Sequence, residues 1–273
     1  MILAVLIAVP VAVVAYKKLT PSAEEVARAQ LQGSLAARMQ AGVFKDPVSG
    51  NVMPWRLYVP PGADASRALP LVIAFHSGAG RGDDNLRQLD DSIRYLLSDA
   101  LQGIEPVLVL APQAGERTHW VDYPSFDPPF ENFDQRQIPQ SENVKSAIRL
   151  LGEVIEKHNV DRSRVYVTGI SMGGEGSWDA ITYYPGMFAA ALIMNGAGDP
   201  RVVERVKDLP IRFFHGDQDV ITPTQNSREL DQALRATGAV ARYTEIPGGG
   251  HNIRDQVYTP ENFAWLLQQR RAD

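Results

Sequence analysis

A series of short, mostly apolar runs, each followed by a helix-like stretch, limits what this chain can fold into. The runs fall at residues 71–75, 107–111, 165–169, 190–195, 211–214 and 240–246. Leu71-Val-Ile-Ala-Phe75 and Val107-Leu-Val-Leu-Ala111 carry no polar side chain to face water, the pattern of strands covered on both sides. Between the runs the period changes. Leu86, Leu89, Ile93 and Leu96 mark one helical stripe. Val144, Ile148, Leu151 and Ile155 mark another, with Ser141 placed to cap it. Leu230, Ala233 and Leu234 lie on a third, closed by Gly238, and Phe263, Leu266 and Leu267 on a last one. This alternation predicts an α/β fold: a mainly parallel central sheet with helices on both faces. Residues 44–50 and 52–59 precede it as a predicted hairpin.

The N-terminal stretch is of a different material. Residues 1–16 carry no charge, and Lys17-Lys18 follows at once. The length suits the apolar part of a secretory signal, and Val13-Val14-Ala15 offers a small-residue cleavage site. It falls short of the ~20 residues that a membrane span needs, and Pro10 interrupts it. Residues 1–18 are therefore expected to be a signal peptide or membrane anchor, and residues 1–16 a possible tether. The expected location is membrane-anchored or exported, with the side of the membrane left open. Thr20-Pro21-Ser22 resembles a helix start, so residues 19–41 are expected to form a connecting helix, a surface helix or stalk. Residues 42–273 remain as one α/β domain, which decides between one large domain and two small ones.

Composition excludes several function classes. There is no cysteine, hence no thiol nucleophile, disulfide or zinc–thiolate site. The net charge is −5 and no basic run exceeds two residues, which disfavours a nucleic-acid surface. No H-E-x-x-H occurs and the five histidines are scattered, so a catalytic metal is not expected. No G-x-G-x-x-G opens a helix and no G-x-x-x-x-G-K-[ST] occurs, so no nucleotide cofactor is expected. No cofactor of any kind is expected. Residues 113–140 lack either period and hold Trp120, Tyr123, Phe126, Phe130 and Phe133 among prolines and acids. A segment this long is either a lid or binding loop, or a surface excursion whose aromatic side chains pack onto the core.

The chemistry gathers after the strands. Gly169-Ile170-Ser171-Met172-Gly173 is a G-x-S-x-G directly after a strand and before a helix. That context lets Ser171 sit in a sharp turn and lets the Met172 amide face a developing oxyanion. A serine hydroxyl needs a base, oriented in turn by a carboxylate. In the order serine, acid, histidine, only His215 and His251 follow Ser171. His251 lies in a glycine-rich loop before the last helix, where an imidazole can project over the strand ends. His215 lies at a strand end, in His215-Gly-Asp-Gln-Asp219, and is expected to hold the turn that presents the acid. That acid is Asp217 or Asp219; spacing does not separate them. The glycine-rich loop at residues 76–84 follows a strand, the place for a second oxyanion donor.

These residues carry a resemblance. Leu69-Pro-Leu-Val-Ile-Ala-Phe-His76, Arg81-Gly-Asp-Asp-Asn85 and Val109-Leu-Ala-Pro-Gln113 belong to it. So do residues 161–174, Trp178-Asp179, Phe214-His-Gly-Asp-Gln-Asp219 with Pro223, and Tyr243-Thr-Glu-Ile-Pro247 with Gly250-His-Asn252. Over residues 43–270 the chain resembles the "predicted peptidase"/carboxylesterase group of α/β-hydrolases, near polyhydroxybutyrate depolymerase-like and feruloyl esterase-like enzymes. The resemblance implies the α/β-hydrolase fold and places the acid on Asp219. It places the second oxyanion donor on Gly78. Ser77 stands where that group usually has glycine, and Trp120 takes the place of its loop tryptophan. Both are expected near the substrate. The implied activity is cleavage of small or polymeric carboxylic esters through Ser171, His251 and Asp219 with an acyl-enzyme. The alternatives are a peptidase or polyester depolymerase on the same residues, or a non-catalytic hydrolase-fold binding protein.

Overall fold

In the computed structural model of the protein, the described residues are 21–63, 67–123 and 127–271. The expected targeting segment at residues 1–18 lies outside them, as does Phe126. Among the described residues no helix is long and apolar enough to cross a membrane.

The first element is helix α1 (Ala23–Ala36). Ser22 caps it reciprocally with Glu25: the Ser22 hydroxyl accepts from the Glu25 amide and the Glu25 carboxylate accepts from the Ser22 amide. The helix is not a free stalk. Leu35 and Met39 are buried beside Leu97, Arg38 donates to the Leu97 carbonyl, and Arg56 donates to the Ala36 carbonyl. Strand β1 (Gln40–Lys45) then begins earlier than the predicted hairpin and pairs antiparallel with β2 (Val52–Tyr58).

The sheet continues with β3 (Leu69–Phe75), β4 (Leu108–Pro112), β5 (Val160–Ile170), β6 (Ala190–Met194), β7 (Ile211–Gly216) and β8 (Arg242–Ile246). Its eight strands run in the order β1-β2-β4-β3-β5-β6-β7-β8. β2 pairs antiparallel with β4, and every pairing from β4 across to β8 is parallel. The apolar runs thus form the expected parallel sheet, with an antiparallel edge from the hairpin.

Side chains alternate across each strand and divide the core in two. Leu71, Ile73 and Phe75 of β3 join a cluster with Val144, Leu151, Trp178, Ile181 and Leu230. These belong to helices α4 (Glu142–Lys157), α5 (Met172–Tyr183) and α6 (Gln225–Ala236). Val72 and Ala74 face the other way, into a cluster with Leu35, Ile93, Leu101, Val257 and Phe263. That face is covered by α1, α2 (Asp91–Leu96), α3 (Asp99–Gln102), α7 (Arg254–Val257) and α8 (Pro260–Gln268). Ser141 caps α4 as expected, its hydroxyl accepting from the Val144 amide. Helix α2 starts at Asp91, later than its stripe suggests, because the Asp90 side chain accepts from the Ser92 amide and fixes the start there.

Chain order reverses direction across the sheet at β3, where β4 lies on one side and β5 on the other. In open parallel sheets ligands bind beyond the carboxyl ends of strands near such a reversal. The loops after β3, β5, β7 and β8 all open there.

Candidate active site

Ser171 occupies the turn between β5 and α5. Its backbone has φ 58° and ψ −128°, a left-handed geometry that a non-glycine residue adopts at a cost of about 1–3 kcal/mol. The flanking glycines make this turn possible. A Cβ on Gly173 would lie 2.0 Å from the Phe75 carbonyl oxygen, and one on Gly169 would lie 2.2 Å from the Gly173 carbonyl oxygen. The Ser171 amide donates to the Met194 carbonyl of the neighbouring strand at 3.0 Å, which fastens the turn to β6.

His251 reaches Ser171 from the loop after β8. Its Nε2 lies 2.8 Å from Ser171 Oγ, and its Nδ1 lies 2.7 Å from Asp219 Oδ2. A carboxylate oxygen only accepts, so Nδ1 donates and Nε2 is left to accept the serine proton. Asp219 follows β7. Its Oδ1 accepts from the amides of Ile221 and Thr222 at 2.9 and 3.1 Å. Burial pushes this carboxyl up, but the neighbouring His215 imidazole, the His251 hydrogen bond and the backbone amides outweigh it and hold Asp219 well below the usual carboxylate range.

Asp217 does something else. Its Oδ1 accepts from the Gly248 amide at 2.8 Å and so ties the glycine loop that carries His251. His215 is fully buried and holds the acid's turn, as its position suggested. Its Nε2 donates to the Thr222 carbonyl at 2.8 Å, which leaves Nδ1 to accept from the Ser227 hydroxyl at 2.7 Å.

The loop after β3 carries Ser77 and Gly78, and these line the same cavity as Ser171, Met172 and His251, of about 370 Å³. The Met172 amide opens helix α5, where the first-turn N–H groups have no intrahelical acceptor. His76 locks this loop from below. Its Nδ1 donates to the Ser77 carbonyl at 2.7 Å and its Nε2 accepts from the Ala114 amide at 2.9 Å. Burial drives the His76 ring down to about 4, so it stays neutral. Trp120 does not line the cavity. It is fully buried, rests on the Phe75 and His76 rings, and donates its indole N–H to the His76 carbonyl at 3.0 Å. Its contact is with the loop after β3, because the loop backbone offers an acceptor where the indole N–H needs one.

Residues 113–140 are fastened along their described length. Ser141 donates to the Trp120 carbonyl, Asn226 to the Phe130 carbonyl, and the Gln135 amide to Asp199. Phe130 and Pro128 form an apolar wall of the catalytic cavity with Ile221 and His119.

Three residues that sequence reasoning did not single out shape the site. Asn195 ends β6 with φ 46°; its amide group donates to the His251 carbonyl at 2.7 Å and its Oδ1 accepts from the Gly216 amide at 3.1 Å. The signal available was an asparagine closing an apolar run. His119 and Glu175 meet across the seam between α5 and residues 113–140, with Nε2 3.4 Å from Oε2. The Val121 amide donates to His119 Nδ1 at 3.1 Å, so the ring proton sits on Nε2 and points at Glu175. Burial pushes Glu175 up to about 8 and His119 down to about 3. The contact is therefore between neutral groups at neutral pH rather than an ion pair. Among the described residues no group of three or more His, Asp or Glu side chains is placed to hold a metal ion.

Fold and cavity together define a hydrolase of the α/β-hydrolase class. The model of the dienelactone hydrolase family matches residues 108–258, more than half of the chain, and the chain belongs to that family. A solved thermostable esterase is 33% identical, with a TM-score of 0.78; the match covers 87% of this chain and 64% of that one, so this chain spans about two thirds of that protein's length. A ferulic acid esterase at 15% identity and a TM-score of 0.62 is matched over 84% of this chain and 98% of its own. A puromycin-hydrolyzing peptidase of Mycobacterium tuberculosis is 17% identical with a TM-score of 0.59, over 84% of this chain and 37% of that one. The last two are likenesses of fold. Comparison with curated proteins gives no significant match.

Proposed function

We propose that the protein is a serine carboxylic-ester hydrolase working through an acyl-enzyme. The observation that carries this reading is the unbroken line from Asp219 Oδ2 through His251 to Ser171 Oγ, at 2.7 and 2.8 Å, opening onto a cavity. Ser171 Oγ attacks the acyl carbon while its proton passes to His251 Nε2. Asp219, held ionised, fixes the imidazole tautomer and supports the charge that forms on the ring. The Met172 and Gly78 amides receive the oxyanion, each such donor contributing about 3–4 kcal/mol to lowering the barrier. The imidazolium then gives its proton to the leaving alcohol oxygen as the tetrahedral intermediate collapses. Water repeats the sequence in reverse, frees the acid and restores Ser171.

The direct test is Ser171→Ala assayed on p-nitrophenyl acetate. Loss of turnover by ~10⁴-fold or more, with an unchanged thermal melt, is expected. Retained turnover contradicts the mechanism, and failure of a fluorophosphonate to label Ser171 in the wild type revives the non-catalytic reading. A panel of aryl esters, alkyl esters, polyester film and aminoacyl anilides separates esterase from depolymerase and peptidase action. On this reading residues 42–273 are the catalytic domain, and residues 1–16 direct it to a membrane or across one. Fractionation of cells expressing the full chain and a chain without residues 1–18 tests that assignment.

A further inference from the structure

A second and larger cavity, of about 840 Å³, runs from the catalytic loop along helix α1. One wall is a single face of that helix: Glu24, Ala27, Arg28, Leu31 and Gln32, spaced by three and four residues. The other wall is the segment after the oxyanion loop, including Asp84, Arg87 and Asp90. Ser77, Ala79 and Arg254 line this groove and the catalytic cavity alike, so the two spaces meet at those three residues.

We propose that the groove along α1 is an extended substrate site, which takes an uncharged, hydroxyl-rich chain attached to the ester cleaved at Ser171. This deepens the esterase reading and rests on it. Two features give the chemical class. The groove is rich in charged side chains, yet its charges are matched. Glu24 pairs with Arg28 at 3.1 Å, Asp84 with Arg87 at 3.2 Å, Asp91 with Arg94 at 2.8 Å and Asp90 with Arg254 at 2.8 Å. Arg94 lies outside the lining, but with it every lining carboxylate has a guanidinium partner, which leaves no unpaired charge to select an ionic substrate. These pairs nevertheless set carboxylate acceptors beside guanidinium donors, the arrangement that neighbouring hydroxyls can bridge, each both donating and accepting. The exposed pairs Glu24–Arg28, Asp84–Arg87 and Asp91–Arg94 are weakly held and rearrange at little cost around a ligand. Leu31 and Leu86 add apolar surface for the carbon skeleton between hydroxyls.

The position of α1 supports the same conclusion. The exposed part of the helix buries no apolar stripe of its own, yet its C-terminal turn is pinned by Leu35, Met39, Arg38 and the Arg56 contact. The pinning fixes a largely polar face at the mouth of the site. The apolar compartment behind Phe130 and Ile221 and the polar groove then divide the cleft into two unlike halves, as an ester with two unlike substituents requires.

The test compares five esters on the full chain: ethyl acetate, the charged acetylcholine and monomethyl succinate, and the polyol esters sorbitol monoacetate and methyl glucuronate. The last two place the polyol on the alcohol side or the acyl side. One of them is expected to show kcat/KM at least about tenfold above ethyl acetate, corresponding to one or two hydrogen bonds gained. In Gln32→Ala and Arg28→Ala that advantage is expected to shrink by about threefold to tenfold, through KM rather than kcat. Ala29→Gln, on the opposite side of α1, is the control for helix disturbance and should leave the advantage intact. No polyol advantage on either side, or an advantage that Gln32 and Arg28 do not affect, overturns the inference while hydrolysis of ethyl acetate upholds the esterase reading. An advantage confined to acetylcholine or monomethyl succinate overturns the uncharged class. A wild type inert toward every ester, including p-nitrophenyl acetate, takes down both readings.

Discussion

Two buried carboxyl groups flank Ser171, and they have opposite fates. Asp219 sits in a turn built to receive it: two amides on Oδ1, His251 on Oδ2, and His215 3.4 Å from the same oxygen. Glu175 sits one helical turn beyond Ser171, wholly buried, and neither of its oxygens accepts a well-formed hydrogen bond. Both lose water. Only the first has donors at hydrogen-bonding distance, the His119 N–H standing off Glu175 at 3.4 Å, so Asp219 is held ionised and Glu175 is pushed up to about 8. Burial sets the direction of a pKa shift only where donors are missing. Charge is retained where the proposed mechanism uses it and suppressed where α5 packs under residues 113–140.

The largest break in this contrast is Asp219→Asn. It removes the charge and upsets the His251 tautomer, and kcat is expected to fall by ~10³–10⁴-fold. Asp217→Asn, which alters only the Gly248 tie, should stay within about threefold on the same assay. The reverse order would move the acid to Asp217. A smaller loss is expected in Asn195→Ala. His251 keeps its partners but its loop loses the 2.7 Å anchor, and kcat should drop ~10–100-fold with KM little changed. A drop in KM alone would separate Asn195 from positioning of the base.

The mildest effect on activity is expected at the other pole. Glu175→Gln should leave turnover within about twofold and change instead how stability responds to pH. The folded protein keeps the Glu175 proton up to about 8, while the unfolded chain releases it near the ordinary 4.5. Between those values the folded state binds more protons, so stability falls as pH rises. Urea midpoints at about pH 5 and about pH 9 should therefore differ less in Glu175→Gln than in the wild type. Part of the slope should remain, because Asp179, pushed up to about 7 by burial, behaves in the same sense. An unchanged slope would mean that Glu175 is ionised in the folded protein.

Much of this site was legible in the chain. Ser171 could be read because a strand, a glycine-bracketed serine and a helix are consecutive, and the elbow is a local structure. Strands such as 71–75 and 107–111 announced themselves because burial on both faces leaves no polar alternation. Asp217 and Asp219 could not be told apart by spacing. Two residues separate them, and which one meets His251 depends on how the turn after β7 is held by His215 and the backbone amides. Asn195, His119 and Glu175 were not legible, since each acts on a partner far along the chain. Trp120 was expected near the substrate, and only the fold reveals that it lies buried with its N–H on the His76 carbonyl. Helix α1 read as a surface helix or stalk, and what it packs against was hidden for a related reason: a polar sequence does not say what stands opposite it.

The close approach of Gly173 to the end of β3 has a consequence for how the molecule tolerates thermal motion. With the Phe75 and His76 carbonyls pressed against its Cα, Gly173 gives the nucleophile turn and the oxyanion loop a common datum. Met172 lies one residue from that contact and Gly78 two residues beyond His76. The two amides proposed to receive the oxyanion are thus gauged from one point rather than across the cleft. Shifts of α1, of residues 113–140 or of the sheet edge change the walls around the substrate while the spacing between the two donors holds. Variation in those walls can therefore retune what is bound without recalibrating the place where charge develops.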